Sequence, residues 1–182
     1  MDPQNPNYQL LNAGLLRAAN EVRMAYNLPE LQYNSLLQNV AESHAKAMIE
    51  QNFYAHKNPN NQLFSTVMDR VNYFSNSNHG FKYIGENIAS YDILAVESFF
   101  CVKKLNNNRY FYYNCQSKTR IPIYTYKQLA VSVVNGWLNS PSHRENLLDP
   151  NYKYLGTAAR LSKNPYLSSK APFARIVQNF GG

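Results

Sequence analysis

Two histidines and one carboxylate are the residues best suited to chemistry in this 182-residue sequence. His56 and His143 each follow the end of a predicted helix, in loops of the kind that commonly present functional side chains. Glu86 is a lone carboxylate in the mostly apolar stretch Gly-Glu-Asn-Ile-Ala. Neutral imidazole nitrogen and carboxylate oxygen are both good ligands for zinc and related metals. Spacings of 30 and 57 residues match no local metal motif, so spacing alone does not establish a metal site.

Two other reaction chemistries have only fragmentary support. The serines of Ser-Pro-Ser at 140–142 lie beside His143 and, with Glu86, outline a serine-histidine-carboxylate arrangement, but no Gly-x-Ser-x-Gly elbow accompanies them. Ser43 and Lys46 match the Ser-x-x-Lys motif of β-lactam-binding enzymes without its companion motifs, so we attribute that match to chance. The glycines form no phosphate-binding loop, which disfavours nucleotide chemistry.

The apolar periodicity predicts the elements that must position these residues. Steps of three and four between apolar residues predict four helices, at residues 8–26, 35–51, 63–74 and 125–140. Asn34 is a candidate N-cap for the second helix, and Thr125 with Gln128 fits a capping box at the start of the last. We expect Pro141 to end the last helix. Residues 155–161 and 173–180 are short β-type runs, and apolar residues alternate in the second, so helices precede strands, as in α+β folds. His44 lies on the apolar stripe of the second helix and is predicted to be a hydrogen-bonded core residue, whereas His79 lies in a polar loop.

Composition indicates one globular domain. The mass of 20.9 kDa and the 45% hydrophobic content suit a single packed core, and we place an N-terminal tail at 1–7 and the domain at 8–182. No apolar run is long enough to span a membrane, and the N-terminus lacks the features of a signal peptide. The chain is therefore cytosolic or a mature segment. The absence of Asn-x-Ser/Thr sequons favours a bacterial origin.

Most of the positive charge is concentrated in one aromatic segment. Residues 98–127 contain six basic and no acidic side chains, against a net charge of +7 for the chain, and eight aromatic residues. Such a charge favours an acidic partner such as an envelope polymer, nucleic acid or anionic lipid head groups, although solubility is the simpler explanation. Residues 109–115 and 121–124 are predicted to form a hairpin that turns at Lys118-Thr119.

Together, these segments resemble the CAP superfamily of cysteine-rich secretory, antigen 5 and pathogenesis-related proteins, in particular its bacterial SCP-like branch. The Trp-Leu-Asn-Ser-Pro-Ser-His-Arg-Glu-Asn-Leu-Leu stretch at 137–148 and Gly-Glu-Asn-Ile-Ala at 85–89 are the most specific features. Further matches lie at 20–23, 41–48, 53–56, 69–70, 155–156 and 178–181. The basic aromatic segment at about 98–124 resembles an insertion, because bacterial relatives usually pass sooner from Gly-Glu-Asn-Ile-Ala to the helix that carries the tryptophan.

The resemblance implies a fold and a cleft. It implies a single-domain, three-layer α-β-α sandwich with a central antiparallel sheet, usually extracellular or periplasmic. In this family the cleft carries two histidines and two acidic residues, and some members bind a divalent metal there. By resemblance, His56, Glu86 and His143 are the candidate metal residues, and Ser140 stands where many members have the second glutamate. Glu97 or Glu145 is the candidate substitute for that missing carboxylate.

The resemblance leaves two function classes open. The favoured one is a non-enzymatic binding protein, monomeric and without specific nucleic-acid binding, whose ligand is an unidentified lipid, glycan, protein or anionic envelope polymer. The alternative is a metal-dependent hydrolase, in which His56 and His143 hold a metal-bound water and Glu86 is the general base. The extracellular setting implied by the family also predicts a disulfide between Cys101 and Cys115.

Overall fold

The computed structural model describes residues 1–96 and 99–182. The helices are α1 (Tyr8–Ala25), α2 (Ser35–Glu50), α3 (Val67–Ser75), α4 (Tyr126–Leu138) and α5 (Pro141–Leu148), with a 3-10 turn at Gln62–Phe64. The strands are β1 (Gln32–Tyr33), β2 (Ile84–Asp92), β3 (Cys101–Lys104), β4 (Tyr110–Tyr113), β5 (Tyr154–Leu161) and β6 (Phe173–Gly181).

Helix starts follow the local capping signals. The Asn34 side chain accepts from the backbone N–H of Leu37 at the start of α2, and Thr125 and Gln128 form both halves of a capping box at the start of α4. The four predicted helices are thus confirmed, except that the third begins at Val67, after a separate 3-10 turn at Gln62–Phe64. However, α4 already ends at Leu138, and Pro141 is the first residue of a fifth helix, α5. Proline suits that position because the first helical N–H needs no partner within the helix.

The main sheet has the strand order β1-β5-β6-β2 and separates two helical layers. The β5–β6 and β6–β2 pairs are antiparallel, whereas the short β1 pairs with β5 in parallel. Leu15 of α1 and Trp137 of α4 pack with Phe180 on one face, and Met48 of α2 packs with Val177 on the other. The predicted three-layer α-β-α sandwich is therefore confirmed, and the sheet is antiparallel except for β1.

The basic segment folds differently from its predicted hairpin. Strand β4 pairs with β3, so the turn lies at 105–109 and includes Asn108 in the left-handed region, with φ of 60°. The predicted turn near Lys118 exists, but it is followed by no strand in the described residues: Arg120 forms an isolated bridge with Tyr113, and Ile123 forms another with Leu94. Cys101 and Cys115 form a disulfide across the segment. Ser98, the first residue of the basic segment, lies outside the described residues.

Candidate functional site

Glu86 of β2 is the centre of a buried polar cluster. Its Oε2 accepts a 2.6 Å hydrogen bond from Arg70 Nη2, and its Oε1 accepts one of 3.0 Å from His56 Nδ1. When the Asn179 amide is turned so that its oxygen accepts from the Ala41 N–H, its nitrogen donates to Glu86 Oε2 over 3.1 Å. Burial would raise the pKa of Glu86, but the bond from His56 and the Arg70 charge outweigh it and hold that pKa below its ordinary value.

Arg70 of α3 anchors the loop that carries His56. Its side chain is fully buried, and besides Glu86 it donates to the carbonyl oxygens of Phe64, Ser65 and, more weakly, His56. The sequence marks Asp-Arg at 69–70 as a family match without assigning it a role. A signal was available, since a lone arginine inside an apolar helical stripe must find acceptors when it is buried.

The hydrogen bond to Glu86 sets the tautomer of His56. A carboxylate accepts, so Nδ1 carries the proton and Nε2 carries the lone pair when the ring is neutral. The His56 side chain is 54% exposed, whereas that of Glu86 is 3% exposed. The arrangement therefore presents a metal-competent nitrogen at the surface, with a fixed carboxylate behind it.

His143 is presented from α5, which packs against β2. The half-buried ring has Nδ1 2.8 Å from Ser140 Oγ, and the backbone oxygen of His143 accepts from Asn87 Nδ2 at 3.0 Å. Burial and the charge of His56 lower the pKa of His143, which favours its neutral form near pH 7. Ser140, which by resemblance stands where many members have the second glutamate, thus directly contacts His143.

The Gly-Glu-Asn motif joins β2 to α5. Asn146 Nδ2 donates to Asn87 Oδ1 over 2.9 Å and to the Glu86 carbonyl over 3.2 Å. Position 85 requires glycine, because a Cβ there would overlap the Tyr152 hydroxyl group and crowd Asn146. The sequence did not identify the two asparagines as site residues, although both lie inside the quoted motifs. Their amide bonds hold the end of β2 against the helix that carries His143.

His44 is a core residue, as predicted. Its side chain is fully buried in α2, and Nε2 donates to the Ala55 carbonyl at 2.9 Å. Burial is the main cause that lowers the pKa of His44 to about 4. The ring is therefore neutral at physiological pH and steadies the backbone next to His56.

Several sequence candidates are not brought together. Glu145 is exposed in α5, two residues beyond His143, and residues two apart on a helix point in different directions. Glu97 lies outside the described residues. Ser140 contacts His143 but Glu86 is bonded to His56, so the described residues form no serine-histidine-carboxylate triad.

The described residues do not assemble a closed metal site. Within residues 1–96 and 99–182, no group of three or more histidine, cysteine, aspartate or glutamate side chains is placed to hold a metal ion. None of the helices formed by these described residues is long and apolar enough to cross a membrane.

Comparison with solved structures finds bacterial proteins of the same architecture. An extracellular protein with an SCP domain from Bacillus anthracis matches with a TM-score of 0.62 and 23% identity, over 100% of this chain and 45% of that one. An outer surface protein from Borrelia burgdorferi matches with a TM-score of 0.62 and 20% identity, over 100% and 98%. A cysteine-rich secretory protein from Staphylococcus aureus matches with a TM-score of 0.53 and 16% identity, over 96% and 39%. These likenesses show the fold.

Comparison with curated proteins gives no match. The chain spans less than half the length of the Bacillus anthracis protein. A family model settles membership, because the model of the cysteine-rich secretory protein family, CAP, matches residues 16–180. With its α-β-α fold and its Gly-Glu-Asn and His-Arg-Glu-Asn motifs, this chain belongs to the CAP family.

Proposed function

We propose that this protein is an extracellular CAP domain that binds a ligand at the His56/His143 cleft and does not hydrolyse it. The observation that carries this proposal is the state of the Glu86 carboxylate. Both of its oxygens accept hydrogen bonds, from His56 and from the buried Arg70, and its pKa is held low. A general base must take a proton from water at a reachable oxygen, with a pKa near the working pH. Glu86 meets neither requirement.

The same contacts suit a two-imidazole metal site. Glu86 behind His56 resembles the carboxylate-histidine pairs that orient metal ligands, and Ser140 holds the His143 ring through its Nδ1. We therefore assign His56 and His143 as the residues that would hold zinc, and Glu86 as the group that orients His56. A bound divalent ion would supply a positive charge for an anionic ligand group. With two protein ligands, binding would be weaker than at a closed four-ligand site.

Calorimetric titration with zinc tests the metal site. We expect wild-type protein to bind one zinc ion, and His56→Ala and His143→Ala each to lose measurable binding. His79→Ala is the matched control, because His79 lies in a separate loop where its Nδ1 accepts from the Phe81 N–H. Unchanged zinc affinity in both cleft variants would contradict the assignment.

Activity assays test the non-hydrolytic part. Zinc-loaded and zinc-free protein should both fail to cleave casein, a generic ester or a β-lactam beyond the buffer rate. Zinc-dependent cleavage that disappears in His56→Ala would contradict the proposal and identify the protein as a metal-dependent hydrolase. Cleavage that persists in His56→Ala and His143→Ala would point to a contaminant, and purification to constant specific activity would then decide the question.

The extracellular assignment has two supports. The similar structures include an extracellular and an outer surface protein, and the Cys101–Cys115 disulfide is typical of oxidising compartments. In this proposal the protein is a monomer whose ligand is a lipid, a glycan or a protein. Antibody labelling of intact cells and of the culture medium tests the location, and signal only after cell lysis would contradict it.

A further inference from the structure

The β3–β4 hairpin has two chemically different faces. In its register, Lys103 is opposite Phe111, and Val102 is opposite Tyr112. Directly opposed residues of an antiparallel pair point to the same side, and neighbours along a strand point to opposite sides. Lys103 and Phe111 therefore share one face with Tyr113, whereas Val102 and Tyr112 share the other.

The inner face packs on the domain. Tyr112 is 3% exposed and clusters with Leu94 and Ile121, and Val102 lies against that cluster. The Tyr112 hydroxyl lies within hydrogen-bond distance of three backbone carbonyls in the 165–170 loop, the closest being that of Ser168 at 2.6 Å. The tyrosines of this face are structural, and they fix the hairpin to the protein.

The outer face combines stacked aromatic rings with cations. The rings of Phe111 and Tyr113 lie 5.9 Å apart with an interplanar angle of 22°. Lys118 Nζ is 5.7 Å from the Tyr113 ring centre, Arg120 forms an isolated antiparallel bridge with Tyr113, and Lys103 is opposite Phe111. The three cations are exposed and the two rings are half-buried. We call these five residues the platform: Lys103, Phe111, Tyr113, Lys118 and Arg120.

The positive charge of the platform is not neutralised by the described residues. The sequence has no aspartate or glutamate from 98 to 144, and no ion pair within 1–96 and 99–182 includes Lys103, Lys118 or Arg120. Because like charges repel, holding three cations around two partly exposed rings favours an anionic partner at this face.

From this arrangement we propose that the platform binds an anionic polysaccharide, a surface function separate from the His56/His143 cleft. The two partly exposed rings offer apolar surface against which sugar rings can pack, and the surrounding lysine and arginine side chains pair with carboxylate or sulfate groups. The inner-face packing and the Cys101–Cys115 disulfide hold the rings in place before binding, which reduces the entropy cost of ordering them.

Binding of polygalacturonate, a uniformly carboxylated polysaccharide, tests the proposal by calorimetry at low ionic strength. Lys103→Gln/Arg120→Gln and Tyr113→Ala should each raise Kd about tenfold, equivalent to about 1.4 kcal/mol. Tyr113→Phe should keep wild-type affinity, because the stacking ring remains. Neutral dextran should not bind, and affinity for polygalacturonate should fall as sodium chloride is added.

Matched controls separate the platform from general charge and from the cleft. Lys46→Gln/Lys153→Gln removes the same charge at exposed positions elsewhere, and Tyr33→Ala removes an aromatic side chain that belongs to a residue 60% exposed. Both should bind like wild type, as should His56→Ala. Near-ultraviolet circular dichroism confirms that each variant is folded.

Three outcomes would overturn the proposal. One is an equal loss of affinity in the charge control, which would indicate non-specific electrostatic binding. Another is binding of neutral dextran as tightly as polygalacturonate. The third is preference, through the same platform residues, for single-stranded DNA or for phosphatidylglycerol vesicles, which would assign the face to nucleic acid or to membrane.

Discussion

Arg70 and Glu86 form a buried ion pair with 2.6 Å between Nη2 and Oε2, and their side chains are 1% and 3% exposed. The pair connects α3 to β2, and the other guanidinium nitrogen, Nη1, holds the loop that precedes α3. His56 depends on both, since its carbonyl lies near the Arg70 guanidinium and its ring is bonded to Glu86. The candidate metal ligand His56 is therefore positioned by an ion pair that also links α3 to β2.

Breaking this pair should strongly destabilise the protein. In Arg70→Leu, the Glu86 charge remains buried without its cation, and we expect the free energy of unfolding to fall by about 3–5 kcal/mol. Urea unfolding followed by far-ultraviolet circular dichroism measures the loss. Arg17→Leu is the control, because Arg17 pairs with Glu21 on the exposed surface of α1, where a pair contributes about 1 kcal/mol or less. Equal losses in the two variants would show that the buried pair contributes no more than an exposed one.

Burial of His44 makes stability depend on pH. Its pKa is about 4 in the folded protein and ordinarily 6.5, so the unfolded chain binds the extra proton first as pH falls. Stability should be unaffected above about pH 6.5 and decline between there and about pH 4, by about 3 kcal/mol in all. Loss of the Glu86 contribution follows at lower pH, because the pKa of Glu86 is below its ordinary value.

Urea unfolding across this pH range measures the decline. His44→Gln should be less stable than wild type at pH 7 but should show a flatter pH profile. His79→Gln should keep the wild-type slope, because His79 is only partly buried and lies outside the core. A wild-type slope in His44→Gln would show that another group is responsible.

The sequence predicts those elements whose signals are local. Asn34 and Thr125 cap helices through bonds to residues three positions on, so their neighbours suffice to identify them. Strand β1 has two residues and exists only by pairing with β5, more than 100 residues away, and nothing local marks it. The β3–β4 pair was missed for a similar reason, because Arg109–Cys115 has two possible partners and only three-dimensional packing selects β3.

The candidate site likewise has residues that motifs identify and residues whose roles depend on distant contacts. His56, Glu86, His143 and Ser140 were found through motif resemblance, and the structure brings them into two bonded pairs. The roles of Arg70 and Asn179 depend on contacts over 16 and 93 positions in sequence, and a sequence pattern does not encode which acceptor a buried group reaches. In our proposal Glu86 orients His56, because both of its oxygens already accept hydrogen bonds.

Ser140 should tune zinc affinity through His143. Because its Oγ contacts Nδ1, Ser140→Ala should leave the ring less well oriented and weaken zinc binding about tenfold, the lower end for partners of metal ligands. Ser140→Glu should strengthen binding by accepting the Nδ1 proton as a carboxylate. Calorimetry measures both, and Ser142→Ala, at an exposed position in the same turn, is the control. Equal affinities in all three variants would show that Ser140 does not act on the metal site.

The disulfide should stabilise the hairpin more than the rest of the domain. The bridge joins the start of β3 to the residue two positions after β4, and the hairpin packs in its own cluster with Leu94 and Ile121, separate from the core between sheet and helices. Closing a loop of about 15 residues contributes roughly 3 kcal/mol in the chain-entropy model.

We therefore expect Cys101→Ser/Cys115→Ser to make residues 98–124 sensitive to limited proteolysis. The thermal unfolding of the remaining domain should change little, and polygalacturonate affinity should fall because the platform is no longer held rigid. Titration of the unreduced, denatured wild-type protein should detect no free thiol. Two thiols per chain would show that the bridge does not form. Unchanged proteolysis in the double-serine variant would show that inner-face packing alone holds the hairpin.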